Sequence, residues 1–330
     1  MTRNPGNVRL VWLFGIALSG CSGPQSALDP AGKSAELIAG LFWWMTGGAI
    51  VAWLGTLAVA AWALRRPLAG SDGRRGRLLI AIAGAGVPAV VLTGLLIYGL
   101  SIMPPMLASA PPGSLRIAVS GERWWWRVIY LPPNGEPVVL ANEIRLPVGQ
   151  PVEFELSSPD VIHSFWIPSL GGKMDMIPGR KNRLVLHPTR TGIFRGVCAE
   201  YCGASHALMA FSVEVMEEAA FAEWLAQQAQ PAAAAADPLA RHGRELFLAN
   251  GCSACHTVRG TEADGVVGPD LTHVGSRLSL AAGILPNDAP TFRRWLQQTG
   301  EIKPGVEMPH FGMLPAEELD ALAVYLESLQ

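Results

Sequence analysis

Two stretches of this chain rule out a wholly water-soluble fold. Residues 37–64 and 78–102 run 28 and 25 positions without one charged side chain. A charge at the centre of a spanning helix costs roughly 2.5–3.5 kcal/mol on insertion scales, so two such uncharged lengths mark membrane-spanning helices. At ~1.5 Å per residue both exceed the ~30 Å hydrocarbon core, which calls for tilt or protrusion. Between them stand Arg65, Arg66, Arg74, Arg75 and Arg77 against Asp72 alone. That basic excess puts the connecting loop in the cytoplasm and both chain ends outside.

The N-terminus agrees with this topology. Arg3 and Arg9 precede an apolar stretch at 11–18 and then Ser19-Gly20-Cys21, the pattern of a secretory signal. Leu18-Ser-Gly-Cys21 resembles the lipobox of bacterial lipoproteins, in which the cysteine is lipidated and becomes the first mature residue. The alternative is an uncleaved signal with an incidental Cys21. The rest of the chain is mixed in character: 330 residues, 16% charged, mean hydropathy +0.27. This is too apolar for an ordinary soluble enzyme and too polar for an all-membrane protein. A net charge of −2 gives no reason to expect a nucleic-acid partner.

From about Ser114 the pattern changes to short alternating runs broken by Pro and Gly, at 115–119, 152–156, 183–186, 193–197 and 211–215. These predict the strands of an antiparallel sandwich. Between the last two lies Cys198-Ala-Glu-Tyr-Cys202-Gly-Ala-Ser-His206-Ala-Leu-Met209. Two thiols, an imidazole and a thioether within twelve residues are soft or borderline ligands suited to copper. The Cys-x3-Cys spacing puts both thiolates on one tight loop, where two ions can share them. His163, in Asp-Val-Ile-His163-Ser-Phe-Trp, is the candidate ligand from an earlier loop. This is how an all-β cupredoxin builds its site. A disulfide between Cys198 and Cys202 is the plainer alternative, but it leaves His206 and Met209 without a role.

After the Ala/Gln/Pro-rich stretch 227–236, a helix predicted at 241–250 leads into Cys252-Ser-Ala-Cys255-His256. Cys-x-x-Cys-His is the attachment pattern of a c-type haem, with two thioethers and His256 as the proximal iron ligand. A redox dithiol or a zinc half-site is the alternative. Met308, in the loop before a final helix predicted at 316–329, is the favoured distal ligand, with Met313, His310 and His273 as rivals. A Met/His pair raises the haem potential, which suits an electron carrier. Trp295 and Tyr325 are expected to pack the core or the haem.

These motifs together resemble subunit II of a haem-copper cytochrome c oxidase of the form carrying a fused C-terminal cytochrome c domain (caa3-type). The densest likeness is Asp160-Val-Ile-His163-Ser-Phe-Trp-Ile-Pro-Ser-Leu-Gly-Gly-Lys173-Met-Asp175, followed by 195–206. The resemblance implies a dinuclear CuA centre bridged by Cys198 and Cys202, with terminal His163 and His206. It also implies axial contacts from Met209 and the Glu200 main-chain carbonyl, and a Mg2+ or Mn2+ held in part by the Glu200 side chain at the interface with subunit I. In Arg123-Trp124-Trp125-Trp126 it makes Trp124 the point where electrons enter. Trp125 and Trp126 read equally well as core tryptophans, and Arg123 stands where the family usually has Gln. The second apolar segment holds no acid, and Ala81 stands where family members often place a Glu that opens a proton path. Glu36 precedes the first segment on the wrong side of the membrane for that role.

The expected fold is therefore multi-domain: a two-helix transmembrane hairpin, an all-β cupredoxin sandwich (CuA domain) and an all-α class I cytochrome c domain. The expected boundaries are a lipoprotein-type signal peptide at 1–20, a periplasmic segment at 21–35, the hairpin at 36–106, the sandwich at 107–217, a linker at 218–237 and the cytochrome at 238–330. The expected function is electron transfer from haem c through CuA to subunit I of a terminal oxidase in a bacterial inner membrane. Subunit III, membrane lipid and a cytochrome c or bc1-complex donor are the further expected partners. The same relay in a CuA-containing nitric oxide reductase is the runner-up, and a copper-binding assembly factor is a third reading.

Overall fold

The computed structural model describes residues 21–65 and 73–330. The expected signal at 1–20, with Arg66 and Asp72 of the connecting loop, lies outside the described residues. Residues 36–108 form one compact unit, and 21–35 with 109–330 form another.

The first unit is helical. α1 spans Lys33–Arg65, so Glu36 sits in its first turn rather than ahead of it. α2 (Gly73–Ala81) passes through a π-helical turn at Ile82–Gly86 into α3 (Val87–Leu107). The wide turn lies just ahead of Pro88, which lacks an N–H and whose ring crowds the carbonyl four residues back. Two helices here are long and apolar enough to cross a membrane. Their large apolar side chains, Trp44 and Leu64 among them, face outward.

The second unit begins with two five-stranded sheets. β1 (Leu115–Glu122), β2 (Trp125–Leu131), β3 (Val138–Ala141), β5 (Val152–Ser157) and β8 (Asn182–Leu186) form one, in the order β3-β2-β1-β5-β8. β4 (Glu143–Pro147), β6 (His163–Trp166), β7 (Met174–Met176), β9 (Gly192–Cys198) and β10 (Ala210–Met216) form the other, in the order β4-β10-β9-β6-β7. Period-two alternation drives Trp126, Val128 and Tyr130 inward from β2. Trp126, Phe165 and Phe211 meet in the core, the two phenylalanines stacked at 5.0 Å. The chain changes sheets at Asn142 (φ 60), a left-handed position that Asn tolerates, and its Oδ1 accepts the Trp126 N–H at 2.8 Å. Segment 21–35 lies along this sandwich, tied by Ala31 N–H to the Ser169 carbonyl and Arg195 N–H to the Pro24 carbonyl.

The stretch expected as a short helix end and linker begins with a helix. α4 (Glu218–Gln228) buries Phe221 and Trp224 against Tyr130, so it completes the sandwich core instead of bridging two domains. The last three helices are α5 (Pro238–Ala249), α6 (Ala289–Ile302) and α7 (Ala316–Ser328). The Asp237 and Asp288 side chains cap α5 and α6, each followed by Pro in the first turn. α5 meets α7 at Gly243, where any Cβ would lie 2.0 Å from the Ala321 carbonyl oxygen. Phe247, Phe292, Leu296, Leu322 and Leu326 fill a separate core.

Hydrogen bonds to and from the main chain join this helical part to the sandwich. Ala210 N–H donates to the Ala282 carbonyl at 3.0 Å, Arg195 Nη1 to the Gly283 carbonyl at 2.8 Å, and Leu278 N–H to Glu143 Oε2 at 2.6 Å. Arg259 reaches three segments at once: the Val139 carbonyl in β3, the Gln228 carbonyl ending α4, and Asp270.

Candidate metal and haem centres

β6 opens with His163 and β9 ends with Cys198, and the two strands are neighbours in one sheet. The turn after β9 returns Cys202, His206 and Met209 to the same spot before β10 begins. The two Sγ atoms lie 3.7 Å apart, too far for the ~2.05 Å of a disulfide. His163 Nδ1 lies 3.8 Å from Cys198 Sγ, and His206 Nδ1 lies 3.5 Å from Cys202 Sγ, so one imidazole serves each thiol. Met209 Sδ is 3.9 Å from Cys202 Sγ, and the Glu200 carbonyl oxygen is 3.2 Å from Cys198 Sγ. All six groups singled out in the sequence therefore converge. His163, Cys198 and Cys202 form a buried cluster with ligand atoms within 4.8 Å of one another.

The electrostatics favour a cation here. The hydrogen bond from Cys202 to Cys198 outweighs burial and pulls the Cys198 thiol down to about 3, while the shared proton pushes Cys202 up. Burial opposes protonation of His163, but its contacts with Cys198 and Asp160 win and raise its pKa. Asp160 Oδ1 lies 2.9 Å from His163 Nε2, which leaves Nδ1 for the thiol side. Such a carboxylate behind an imidazole fixes ring orientation and tautomer. Burial raises the Asp160 pKa, yet bonds from Val161 N–H, His163 and Arg123 N–H bring it below the ordinary value. The Glu200 carboxylate faces Lys173 Nζ at 3.4 Å, and the same ammonium lies 3.2 Å from Asp175 Oδ1.

In the helical part, a cavity of about 350 Å3 is lined by Cys252, Cys255, His256, Trp295 and Met308. His256 Nδ1 is 2.7 Å from the Pro269 carbonyl, which as acceptor leaves Nε2 free for a ligand. Burial lowers the His256 pKa and keeps the ring neutral. Gly268 lies against that ring, and a Cβ there would sit 2.6 Å from Cε1. Burial pushes the Cys252 thiol up to about 11. Of the rival distal ligands, Met313 is 70% exposed, His310 is exposed, and buried His273 is bonded to the Gln230 carbonyl. Met308 alone of these lines the cavity. A proximal imidazole, two attachment thiols and a facing thioether fit a c-type haem. Cys252, Cys255 and His256 do not gather as a metal cluster among the described residues, which disfavours the zinc alternative.

Trp124 lies between the two sites. Its Nε1–H donates to the Cys202 carbonyl at 3.0 Å, and Trp124 also lines the cavity that holds His256 and Met308. Gly203 and Gly305 both press on its ring: a Cβ on Gly305 would fall 2.8 Å from Trp124 Cη2. Ser205 Oγ–H, one residue before His206, donates to the Pro304 carbonyl at 2.6 Å. The copper-ligand loop and the loop carrying Met308 thus touch directly.

Residues 133–216 match the family described as cytochrome C oxidase subunit II, periplasmic domain, and residues 240–330 match cytochrome c. This chain joins a subunit II periplasmic domain to a cytochrome c domain. Among similar curated proteins, cytochrome c oxidase subunit 2 of Alkalihalophilus pseudofirmus is 37% identical over 214 residues, 65% of this chain and 61% of that protein. The protein of the same name from Bacillus subtilis is 34% identical over 227 residues, 66% of this chain and 63% of that one. The chain thus spans about three fifths of the length of these relatives. A crystal structure of the periplasmic domain of subunit II of the Bradyrhizobium japonicum cytochrome oxidase is 31% identical, covers 36% of this chain and 96% of that one, and has a TM-score of 0.34.

A subunit II domain implies CuA copper, and a cytochrome c domain implies haem c. Trp126, fully buried, belongs to the subunit II domain's core, and Tyr325 packs edge-on against Phe247 in the cytochrome core. Sequence reading missed Asp160, Ser205, Lys303 and Gly305. The Asp-x-x-His spacing could have flagged Asp160. Ser205 and Gly305 act across the contact between domains and Lys303 bonds within the cytochrome domain to Ala281, and the sequence carries no local signal for any of the three.

Proposed function

We propose that this chain is the electron-transfer subunit of a terminal cytochrome c oxidase, relaying electrons one at a time from haem c through CuA to a haem-copper subunit I that reduces O2 to water. The observation that carries this reading is Trp124, bonded to the carbonyl of a copper-ligand cysteine and exposed to the haem cavity within one compact unit. When bound, the copper pair and the haem supply two one-electron stations.

Cys198, Cys202, His163, His206, Met209 and the Glu200 carbonyl would hold the copper pair. Cys252 and Cys255 would hold the haem covalently, with His256 and Met308 as its iron ligands. The sandwich fixes the copper ligands on buried strand ends, which keeps their movement small as charge changes. Asp160 and the Pro269 carbonyl orient the imidazoles of His163 and His256. Trp124 joins the two sites and is the point where electrons reach the copper loop. A Mg2+ or Mn2+ at the partner interface would take the Glu200 carboxylate from Lys173. Subunit I, subunit III and a periplasmic cytochrome c or bc1-complex donor complete the assembly, in a bacterial inner membrane. Exposed Cys21 is the lipidation site. Ala81 ends α2 and residues 78 to 102 hold no acid, so an acid for proton entry would come from the partner subunit or the enzyme would use a different entry.

The test is to isolate the intact complex from membranes through a tag on this chain. A co-purifying haem-copper subunit and consumption of O2 on addition of reduced cytochrome c are expected. Consumption of NO in place of O2, or copper with no haem-copper partner, would overturn the proposal.

A further inference from the structure

Lys303, at the end of α6, is the one fully enclosed lysine among the described residues, 2% exposed. Its ammonium donates to a single acceptor, the Ala281 carbonyl at 2.9 Å, and no carboxylate lies within ion-pair distance of it among the described residues. Ala281 belongs to a run of three left-handed residues, Ala281 (φ 53), Ala282 (φ 65) and Gly283 (φ 79). The other two carbonyls of this run bond to the subunit II domain, so the strap under the lysine is fixed. Burying an ammonium without a counter-ion is costly, and burial here pulls Lys303 down to about 7.

Lys303 lines the cavity that carries His256 and Met308, whose wall is otherwise largely apolar. Two other cations line that wall, of which only Arg123 has a carboxylate within ion-pair distance among the described residues, and Glu307 lines it too. Arg123 pairs with Asp160, and Arg277 bonds to the Asp270 carbonyl and faces Asp270 and Glu143. An anion entering this cavity would find Lys303 uncompensated, and a c-type haem carries two propionates. The next two residues, Pro304 and Gly305, are those that touch Ser205 and Trp124.

We propose that Lys303 is the counter-cation of a haem propionate on the wall of the cavity that faces the copper loop. This rests on the haem reading above. The pairing neutralises both groups and anchors the loop that carries Met308 against Trp124. Lys303 is then a positioning and binding residue for the cofactor, not an electron carrier.

The experiment uses the full chain in membranes with haem attached, comparing wild type, Lys303→Gln, Lys303→Met and Lys303→Arg. Gln keeps a donor for Ala281 without the charge. Haem content comes from the pyridine haemochrome, the midpoint potential from redox titration, and the propionate mode from low-frequency resonance Raman spectra. Gln and Met are expected to keep covalent haem, lower the potential, because a cation favouring the ferrous state is gone, and shift the propionate mode. Arg is expected to restore both. Wild-type values of both readouts in the Gln or Met variant would overturn the proposal. Should neither variant accumulate, the propionate mode of the wild-type protein in D2O decides: a shift against H2O supports pairing with an exchangeable ammonium, and no shift refutes it. A wild-type chain without covalent haem would instead defeat the haem reading itself.

Discussion

Asp160 is the sharpest place to test the copper site, because it touches no expected metal position yet organises one side of it. Its Oδ1 lies 2.9 Å from His163 Nε2 and accepts the Val161 N–H at 2.6 Å, and its Oδ2 accepts the Arg123 N–H at 2.8 Å. In Asp160→Asn the amide nitrogen must replace one oxygen. At the Oδ1 position it would face two N–H donors, so it turns to Oδ2 and faces Arg123 N–H instead. The His163 contact survives without its charge, and one backbone N–H loses its acceptor. Partners of this kind behind a metal-bound imidazole are worth about 10–100-fold in affinity, or about 1.4–2.7 kcal/mol. Copper affinity, measured by competition with a chromophoric chelator on the intact protein, is expected to fall by that factor. The near-infrared copper band should still form at saturating metal, because all six ligand groups remain. Asp160→Ala is expected to lose more, since both oxygens go. Unchanged affinity in both variants would refute the claim that Asp160 sets the orientation of His163.

Cys202→Ser is expected to abolish the near-infrared copper band while leaving the haem α-band; retention of both bands would sink the copper assignment. Met308→Leu should lose the methionine–iron charge-transfer band, and an unchanged band would refute Met308 as the distal ligand. Gly305→Val places a branched side chain at φ +83, where its Cβ would meet Trp124 at 2.8 Å. The Trp124 ring must shift, so flash-initiated haem-to-copper transfer is expected to slow with both spectra intact; an unaltered rate would refute the contact. Asp288, the α6 cap, has its pKa lowered by hydrogen bonds from Thr291. The cap therefore stabilises the helix above the ordinary carboxylate value of about 4 and loses this as pH falls through the folded pKa below it. Asp288→Asn should flatten the acid side of a thermal-melt pH profile, and an unchanged profile would refute the assignment.

What was legible in the sequence was whatever a short window encodes. The spans at 37–64 and 78–102, the five alternating strands and the Cys-x-x-Cys-His loop all rest on neighbours within a dozen residues, and the structure extends each by only a few positions. Strands β3, β4, β6 and β7 were not separable, so that His163 read as a loop residue although it opens β6, because they are three to five residues long and are held by sheet pairing more than by alternation. α6 escaped as well: Pro290 and Gly300 interrupt its pattern, and Gln298 within it departs from helical angles. Residues 218–237 read as a short helix end and linker, but their composition does not show that Phe221 and Trp224 close the core over Tyr130. All six copper-site groups singled out in the sequence converge, and five of them sit on one local motif, 198–209. Their division into two sides, His163 with Cys198 and His206 with Cys202, is a property of the β6–β9 pairing and is visible only in three dimensions.

The contacts between the two parts of the second unit bear on how an electron would pass. A donor held only by a flexible linker reaches its acceptor at an effective concentration set by linker length. Here Arg259 pins the end of α4, β3 and Asp270 together, so the stretch after Gln228 does not govern the approach. The approach is governed instead by Ser205 on Pro304, by Gly305 on Trp124, and by Ala282 and Gly283 on β10 and β9. Nearly all of these are hydrogen bonds to main-chain carbonyls or close packing of glycine on a ring, not ion pairs between exposed charges. Salt screens exposed pairs and leaves such contacts largely untouched. The geometry between Trp124, the copper loop and the haem cavity is therefore a fixed property of the fold, and any ionic-strength dependence of turnover belongs to the arrival of an external donor.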